Sequence, residues 1–367
     1  MFNKKVIFLL AFSILLSACV PVSNTIITAT PPVVSTKPKI FTDAAGISVN
    51  LSEYPQRIVI EGKQTQMIAD FFYLFPDQSS KIVGMQKKMQ TADNFLLVID
   101  PAAANKLNLE ENASAEQVAS LKPDLVILKT SMKENLSGGL AAINIPMVYM
   151  DYENPNQFTR EITNLGIILN QQQRATEINT LFSNWEKQVT TKVADLPAEK
   201  KPKVLVMQYS DKNGTVAFSV PSSSFLQTAT IEMAGGIAMW KNEVKGSGWN
   251  TVGLEQIAAW DPDMIFVINY SVNSKETVRK LYADSNWKQI RAVKTNHLYG
   301  FAGDFISWDQ PDPRWVLGLN WLGNKIHPDL VAFNTEKIVS QFYSDFYKIN
   351  SSIVNEKIIP LLKGDLP

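Results

Sequence analysis

The feature that most constrains this chain is a segment that occurs twice. Ala115-Glu116-Gln117-Val118-Ala119-Ser120-Leu121-Lys122-Pro123-Asp124 runs on into the apolar stretch Leu125–Leu128. Leu254-Glu255-Gln256-Ile257-Ala258-Ala259-Trp260-Asp261-Pro262-Asp263, followed by Met264–Val267, lays over it residue for residue. The Glu-Gln, Ala and Pro-Asp positions are identical, and most of the others are conservative. Each copy reads as a short helix, a Pro-Asp turn and a buried strand. The alternative is a common local design that arose twice. Read as a duplication, the pattern predicts two related α/β lobes.

The rest of the body agrees with that pattern. Arg57–Ile60, Lys81–Met85, Asp124–Leu128 and Pro146–Met150 read as strands with helical patterns between them. That alternation predicts a mainly parallel sheet. Lys203–Gln208, Met264–Ile268 and His297–Phe301 repeat the style in the second half. Between the halves, Ala175, Ile178, Leu181, Phe182, Trp185 and Val189 fall on one face of a long helix over 171–195. A helix of that length would act as a strut between lobes. The expected fold class is α/β, with two lobes joined by one long helix. The expected divisions are an N-terminal lobe over 44–170, the helix over 171–195, a C-terminal lobe over 196–334 and a helical segment over 335–367.

The first forty residues differ in character. Lys4 and Lys5 precede an apolar run from Val6 to Leu16, then Ser17, Ala18 and Cys19. This is the layout of an export signal over 1–18 and is too short for a spanning helix. Leu16-Ser17-Ala18-Cys19 also resembles the lipobox of bacterial lipoproteins, which implies acylation of Cys19 and anchoring to a membrane. Cys19 is the only cysteine, so disulfides and thiolate metal sites are excluded. The stretch over 19–43, rich in Thr, Ser, Pro and Val, reads as a flexible tether.

Composition narrows the function. Thirty-five basic and thirty-five acidic side chains give no net charge, which argues against a nucleic-acid partner. Two histidines are too few for a bare-metal binder of the zinc or manganese type. There is no Walker loop, GxSxG elbow, HExxH or CxxC, so no enzyme is expected. A sensor or adhesin on the same scaffold remains a rival of a different class.

Taken in order, Pro55–Val59, Lys81–Gly84, Ser120–Ile127, Glu232–Gly236, Leu254–Ile257, Ala292–Lys294, Leu317–Leu322 and His327–Asp329 carry a resemblance. The chain resembles the periplasmic binding proteins that serve ferric-siderophore, haem and cobalamin importers, which implies two Rossmann-like lobes on one long helix with a ligand cleft between them. The resemblance implies a monomer that binds a small metal chelate, with no cofactor of its own. It would deliver the chelate to a permease dimer with its ATPase. The family's two docking glutamates match Glu116 and Glu255, the paired positions of the repeat.

For the cleft, loops after the first-lobe strands offer Lys63, Gln64, Lys87, Lys88, Lys129 and Tyr152. The second lobe offers Tyr209, Trp249, Tyr270, Trp308 and Arg314, the last as a bidentate clamp for an anion. Cobalamin-binding relatives place a cleft tryptophan where Trp249 stands. Their first-lobe aromatics are replaced here by lysine and glutamine. That departure favours a ferric chelate, with molybdate or tungstate, cobalamin and haem as alternatives.

Overall fold

Apolar runs bounded by turn residues become strands here because helices cover both faces of each sheet. A computed structural model describes residues 39–87, 94–110, 113–142 and 144–367. Cys19 and Lys88 lie outside the described residues. A hairpin of β1 (Lys39–Thr42) and β2 (Ser48–Leu51) opens the body. Then follow β3 (Ile58–Glu61), α1 (Thr65–Phe72), β4 (Ile82–Gln86), α2 (Phe95–Ile99), β5 (Leu107–Leu109), α3 (Ala115–Ser120), β6 (Leu125–Leu128), α4 (Lys133–Ala142) and β7 (Met147–Tyr149). The last five strands form one parallel sheet in the order β5-β4-β3-β6-β7. Every residue of β3 and β6 is buried, as central strands covered on both faces must be.

The tether expected over 19–43 is too long. Lys39–Thr42 is strand, and Asp43 is 3% exposed with its carboxylate accepting the amides of Ala45, Ile47 and Tyr149. An aspartate that satisfies three backbone donors fixes the chain onto the edge of the sheet.

After α5 (Pro155–Ile168), α6 (Gln172–Val193) is the long helix that the periodicity predicts, about 33 Å at 1.5 Å per residue. It buries Ala175, Ile178, Phe182, Trp185, Val189 and Val193. The second sheet begins with β8 (Lys203–Lys212) and β9 (Thr215–Val220), joined by Asn213-Gly214 with φ of 54° and 83°. Two positive-φ residues between paired strands make the tight hairpin that Asn-Gly favours. The chain continues through α7 (Leu226–Met233), β10 (Ile237–Ala238), β11 (Asn250–Val252), α8 (Leu254–Trp260), β12 (Met264–Ile268), α9 (Ser274–Ala283), α10 (Arg291–Lys294) and β13 (Leu298–Gly300). It ends in α11 (Trp315–Ile326), α12 (Thr335–Tyr347) and α13 (Ser351–Lys357). The sheet order is β11-β9-β8-β12-β13, with β10 also on β8. Strands β8, β10, β12 and β13 are parallel, while β9 and β11 run against their neighbours.

The repeated segments are built alike. Each helix, α3 or α8, stops at a left-handed residue, Lys122 (φ 50°) or Asp261 (φ 47°). An arginine holds the carbonyl of that residue in both copies: Arg57 Nε donates to Lys122 at 2.9 Å and Arg291 Nη2 to Asp261 at 2.7 Å. The Pro-Asp carboxylate then caps the neighbouring strand. Asp124 accepts Gln56 and Arg57 amides, and Asp263 accepts the Lys203 amide at 2.7 Å. Strand β6 pairs with β3 as β12 pairs with β8.

The two lobes are fastened at the waist by Arg314, which has no exposed surface. Its Nη1 donates to Asp70 Oδ2 of α1 at 2.8 Å and to both oxygens of Asp312 at 2.7 and 2.9 Å. Its Nε donates to the Tyr343 hydroxyl of α12 at 3.0 Å and lies 3.2 Å from Asp304 Oδ1. The Phe95 ring of α2 stands 4.2 Å from the guanidinium carbon. Burial pushes the Asp70 carboxyl well above its usual range, against the pull of Arg314, with Asp312 adding to the rise. Arg314 is therefore not a ligand clamp. Its Nε and Nη1 face three aspartates and a tyrosine inside the protein, and the whole side chain is buried, which corrects the expectation from sequence.

Candidate ligand cleft

In the first lobe the strand order reverses between β3 and β6, and in such a sheet ligands sit beyond the carboxyl ends at that switch. The loops that leave those two ends meet there. Gln64, left-handed at φ 59°, caps α1 and receives the Lys129 ammonium on Oε1 at 2.6 Å. Lys129 also pairs with Glu153, from the loop after β7, and is itself buried. Glu61, the last residue of β3, is fully buried and accepts the Ala113 amide at 3.2 Å. Burial lifts its carboxyl to about 7, although backbone bonds from Gly62 and Ala113 pull the other way.

The positive rim expected from the sequence is largely neutralised. Lys87 pairs with Glu110 at 2.5 Å, Lys129 with Glu153, and Arg314 with its aspartates. Lys63 is exposed. Tyr152 does not reach the cleft: it is 1% exposed and stacks on Phe71 with ring centroids 3.9 Å apart. The expectation failed because the residue's burial on β7's side of the core is set by α1 and α5, through Phe71 and Phe158.

The second lobe presents Tyr270 just past β12. Asn269 shapes that turn, its Oδ1 accepting the Ser271 and Val272 amides at 2.9 and 3.2 Å. The Tyr270 hydroxyl donates to Asp309 Oδ2 at 2.7 Å. Gln227 of α7 donates to the same oxygen at 3.1 Å and to the Asp309 carbonyl at 3.0 Å. Trp249 meets Tyr270 edge-on, with centroids 6.4 Å apart and planes at 84°. Burial, Asp309 and, from the opposite lobe, Glu153 hold the Tyr270 phenol protonated far above its ordinary range.

Beside Tyr270 a cavity of about 360 Å³ opens beyond the carboxyl ends of β12 and β13. Val272, Phe301, Phe305, Ser307 and Gln310 line it with Tyr270. Trp308 is absent from it. The indole is 1% exposed, with its ring centroid 6.5 Å from that of Phe333, and its backbone lies so close to α11 that a Cβ on Gly318 would stand 2.5 Å from the Trp308 carbonyl. That is a second correction. Tyr209 is 8% exposed and packs on Phe218 within the sheet. The residues the sequence reading did not select are Glu153, Gln227 and Asp309. Their signal was position alone, in loops or a helix next to strand ends.

A model of the family described as periplasmic binding protein matches residues 64–304. The chain belongs to the periplasmic binding protein family. Its solved neighbours are two-lobed solute-binding proteins of transporters. One, a periplasmic solute binding protein from Veillonella parvula, is 28% identical with a TM-score of 0.68, covering 88% of this chain and 98% of that one. Among curated relatives, the molybdate-binding protein MolA of Haemophilus influenzae is 22% identical over 342 residues, 84% of this chain and 91% of that protein. The high-affinity heme uptake system protein IsdE of Staphylococcus aureus is 25% identical over 197 residues, 51% of this chain and 62% of that protein. In this periplasmic binding protein Glu116 and Glu255 are both exposed, each in the first turn of its helix, α3 and α8.

Proposed function

We propose that this periplasmic binding protein is anchored through an acylated Cys19 and captures a ferric-siderophore-type chelate for an importer of the ATP-driven class. Relatives named for molybdate and haem place cargo of very different size on related chains, so the cleft of this chain must decide. The observation that carries the reading is the cavity of about 360 Å³ at the strand ends, walled by Tyr270 and Phe305 and edged by Ser307 and Gln310 together with Asp304 and Lys363. A space of that order suits an organic chelate. Lys87, Lys129 and Arg314, three of the cations that a bare oxyanion would draw on, are held by carboxylates of the protein itself. Affinity would come from flat apolar walls and a few oriented donors.

The second reading is a molybdate-type oxyanion, favoured by the span of the MolA match. Intrinsic tryptophan fluorescence of the body from Lys39 onward separates the two. Ferric hydroxamate and catecholate chelates, haem, cobalamin, molybdate and tungstate are titrated in turn. Quenching by a ferric chelate below micromolar concentration is the expected result. A response to oxyanions alone would move the protein to the second reading, and silence throughout would end the importer assignment in favour of a sensor or adhesin.

A further inference from the structure

Among the described residues, three polar side chains in the wall of the cavity beside Tyr270 are buried: Ser274, Asp304 and Gln310, at 5%, 1% and 4% exposure. Two of them are spent on the protein. The Ser274 hydroxyl donates to the Phe301 carbonyl at 2.8 Å, and Asp304 accepts the Tyr343 hydroxyl at 2.6 Å beside Arg314. The Gln310 carboxamide has no hydrogen-bond partner among the described residues. Gln227, the buried glutamine of α7, shows the ordinary case, with its amide on the Asp309 carbonyl and carboxylate. Nor is the Gln310 amide sealed in the core: it opens on the cavity that the residue lines.

The loop holds Gln310 in place before any cargo arrives. Its N–H donates to the Ser307 carbonyl at 3.2 Å, and its carbonyl accepts the Asp312 amide at 2.8 Å. Asp309 on one side is tied to Tyr270 and Gln227, and Asp312 beyond Pro311 is tied to Arg314. Pro311 also narrows the backbone freedom of the residue before it. A polar group fixed in this way loses little further freedom when a ligand meets it.

A carboxamide offers two N–H donors and one carbonyl acceptor, without charge. Its chemical match carries both a carbonyl and an N–H, which is an amide. Val272, Phe301 and Phe305 give the same cavity an apolar flank for the chain that bears such an amide. A bare oxyanion could use only the N–H half of the carboxamide and would leave the carbonyl facing it unpaired.

We propose that Gln310 determines specificity in this cleft by pairing its carboxamide with a secondary amide of the cargo. The cargo class is then a ferric chelate whose backbone carries secondary amides. This rests on the binding-protein reading above and narrows it.

The test uses two linear ferric trihydroxamates of equal length, one with secondary amides in its linkers and one with each of those amides replaced by two methylenes. Both are titrated by calorimetry against the protein and against Gln310→Met, which keeps the length of the side chain and removes its donors and acceptor. The protein should bind the amide chelate about tenfold more tightly, the cost of leaving a buried amide unpaired. In Gln310→Met that preference should fall to roughly twofold or less, through weaker binding of the amide chelate alone. A merely structural role for Gln310 would weaken both chelates alike and keep their ratio. Equal binding of the two chelates by the unaltered protein overturns the inference without recourse to the variant, and leaves the importer reading intact. A preference that survives in Gln310→Met overturns it too. Binding of molybdate with neither chelate bound, or no binding at all, removes the chelate reading and this inference together.

Discussion

Arg314 shows how far a residue's role depends on depth. The guanidinium is the charge that makes three buried aspartates tolerable, and it joins α1 to α12 across the waist. Arg314→Met would fill similar space while leaving those acids uncompensated. Removing one member of a buried ion cluster costs about 3–5 kcal/mol. We expect a loss of that order in the unfolding free energy from urea titration, with Asp70→Asn costing clearly less because Asp312 and Asp304 keep the arginine paired. A loss under about 1 kcal/mol for Arg314→Met would mean the knot is solvated in solution. Sequence could supply the residue type. The direction of the side chain was not, because Asp70 lies more than two hundred positions away and no local pattern connects them. The same limit applies to Trp308 and Tyr152, which were assigned to the cleft because aromatics next to strand ends have two destinations. Tyr270 and Trp249 went to the one, and those two to the other.

Among the elements, the central strands and the long helix were readable because their apolar period is set by burial on both faces or on one stripe. Strand β9 was missed although Asn213-Gly214 announces it, since its exposed edge residues Thr215 and Val216 break the apolar run. Strand β5, three residues long, is too short to carry a period. The helix that presents Glu116 depends strongly on its first turn. Helix α3 has six residues, and a capping box joins Ser114 and Gln117 reciprocally. The Ser114 hydroxyl also bonds the Glu116 carboxyl and holds it below the usual range. Ser114→Ala should cost about 1 kcal/mol locally. Hydrogen exchange at the Gln117 amide is the measurement, with faster exchange there and unchanged exchange in β6 expected. Equal exchange in both proteins would show that packing of Val118 alone keeps α3 in place.

For the whole molecule, the two-lobe plan was legible in the duplicated segment. What sequence could not give was the charge state of the cleft, because the acids that pair Lys87 and Lys129 come from other loops. Glu116 and Glu255, which we propose as docking acids, lie outside that accounting. Replacing Glu116 and Glu255 together by alanine should leave chelate affinity within about twofold while abolishing uptake in cells. Lost affinity in the purified double variant would place one of them in the binding site instead. The twin turns at Lys122 and Asp261 bear on how such a protein meets its partner. Each of the two helices is stopped by a left-handed residue at the equivalent position of the repeat, and each stop is locked by an arginine on that residue's carbonyl. Glu116 and Glu255 are therefore set in matching local frames, one per lobe. As the proposed docking acids they would meet a partner at two points of like local geometry, so that one kind of basic socket, used twice, would serve both.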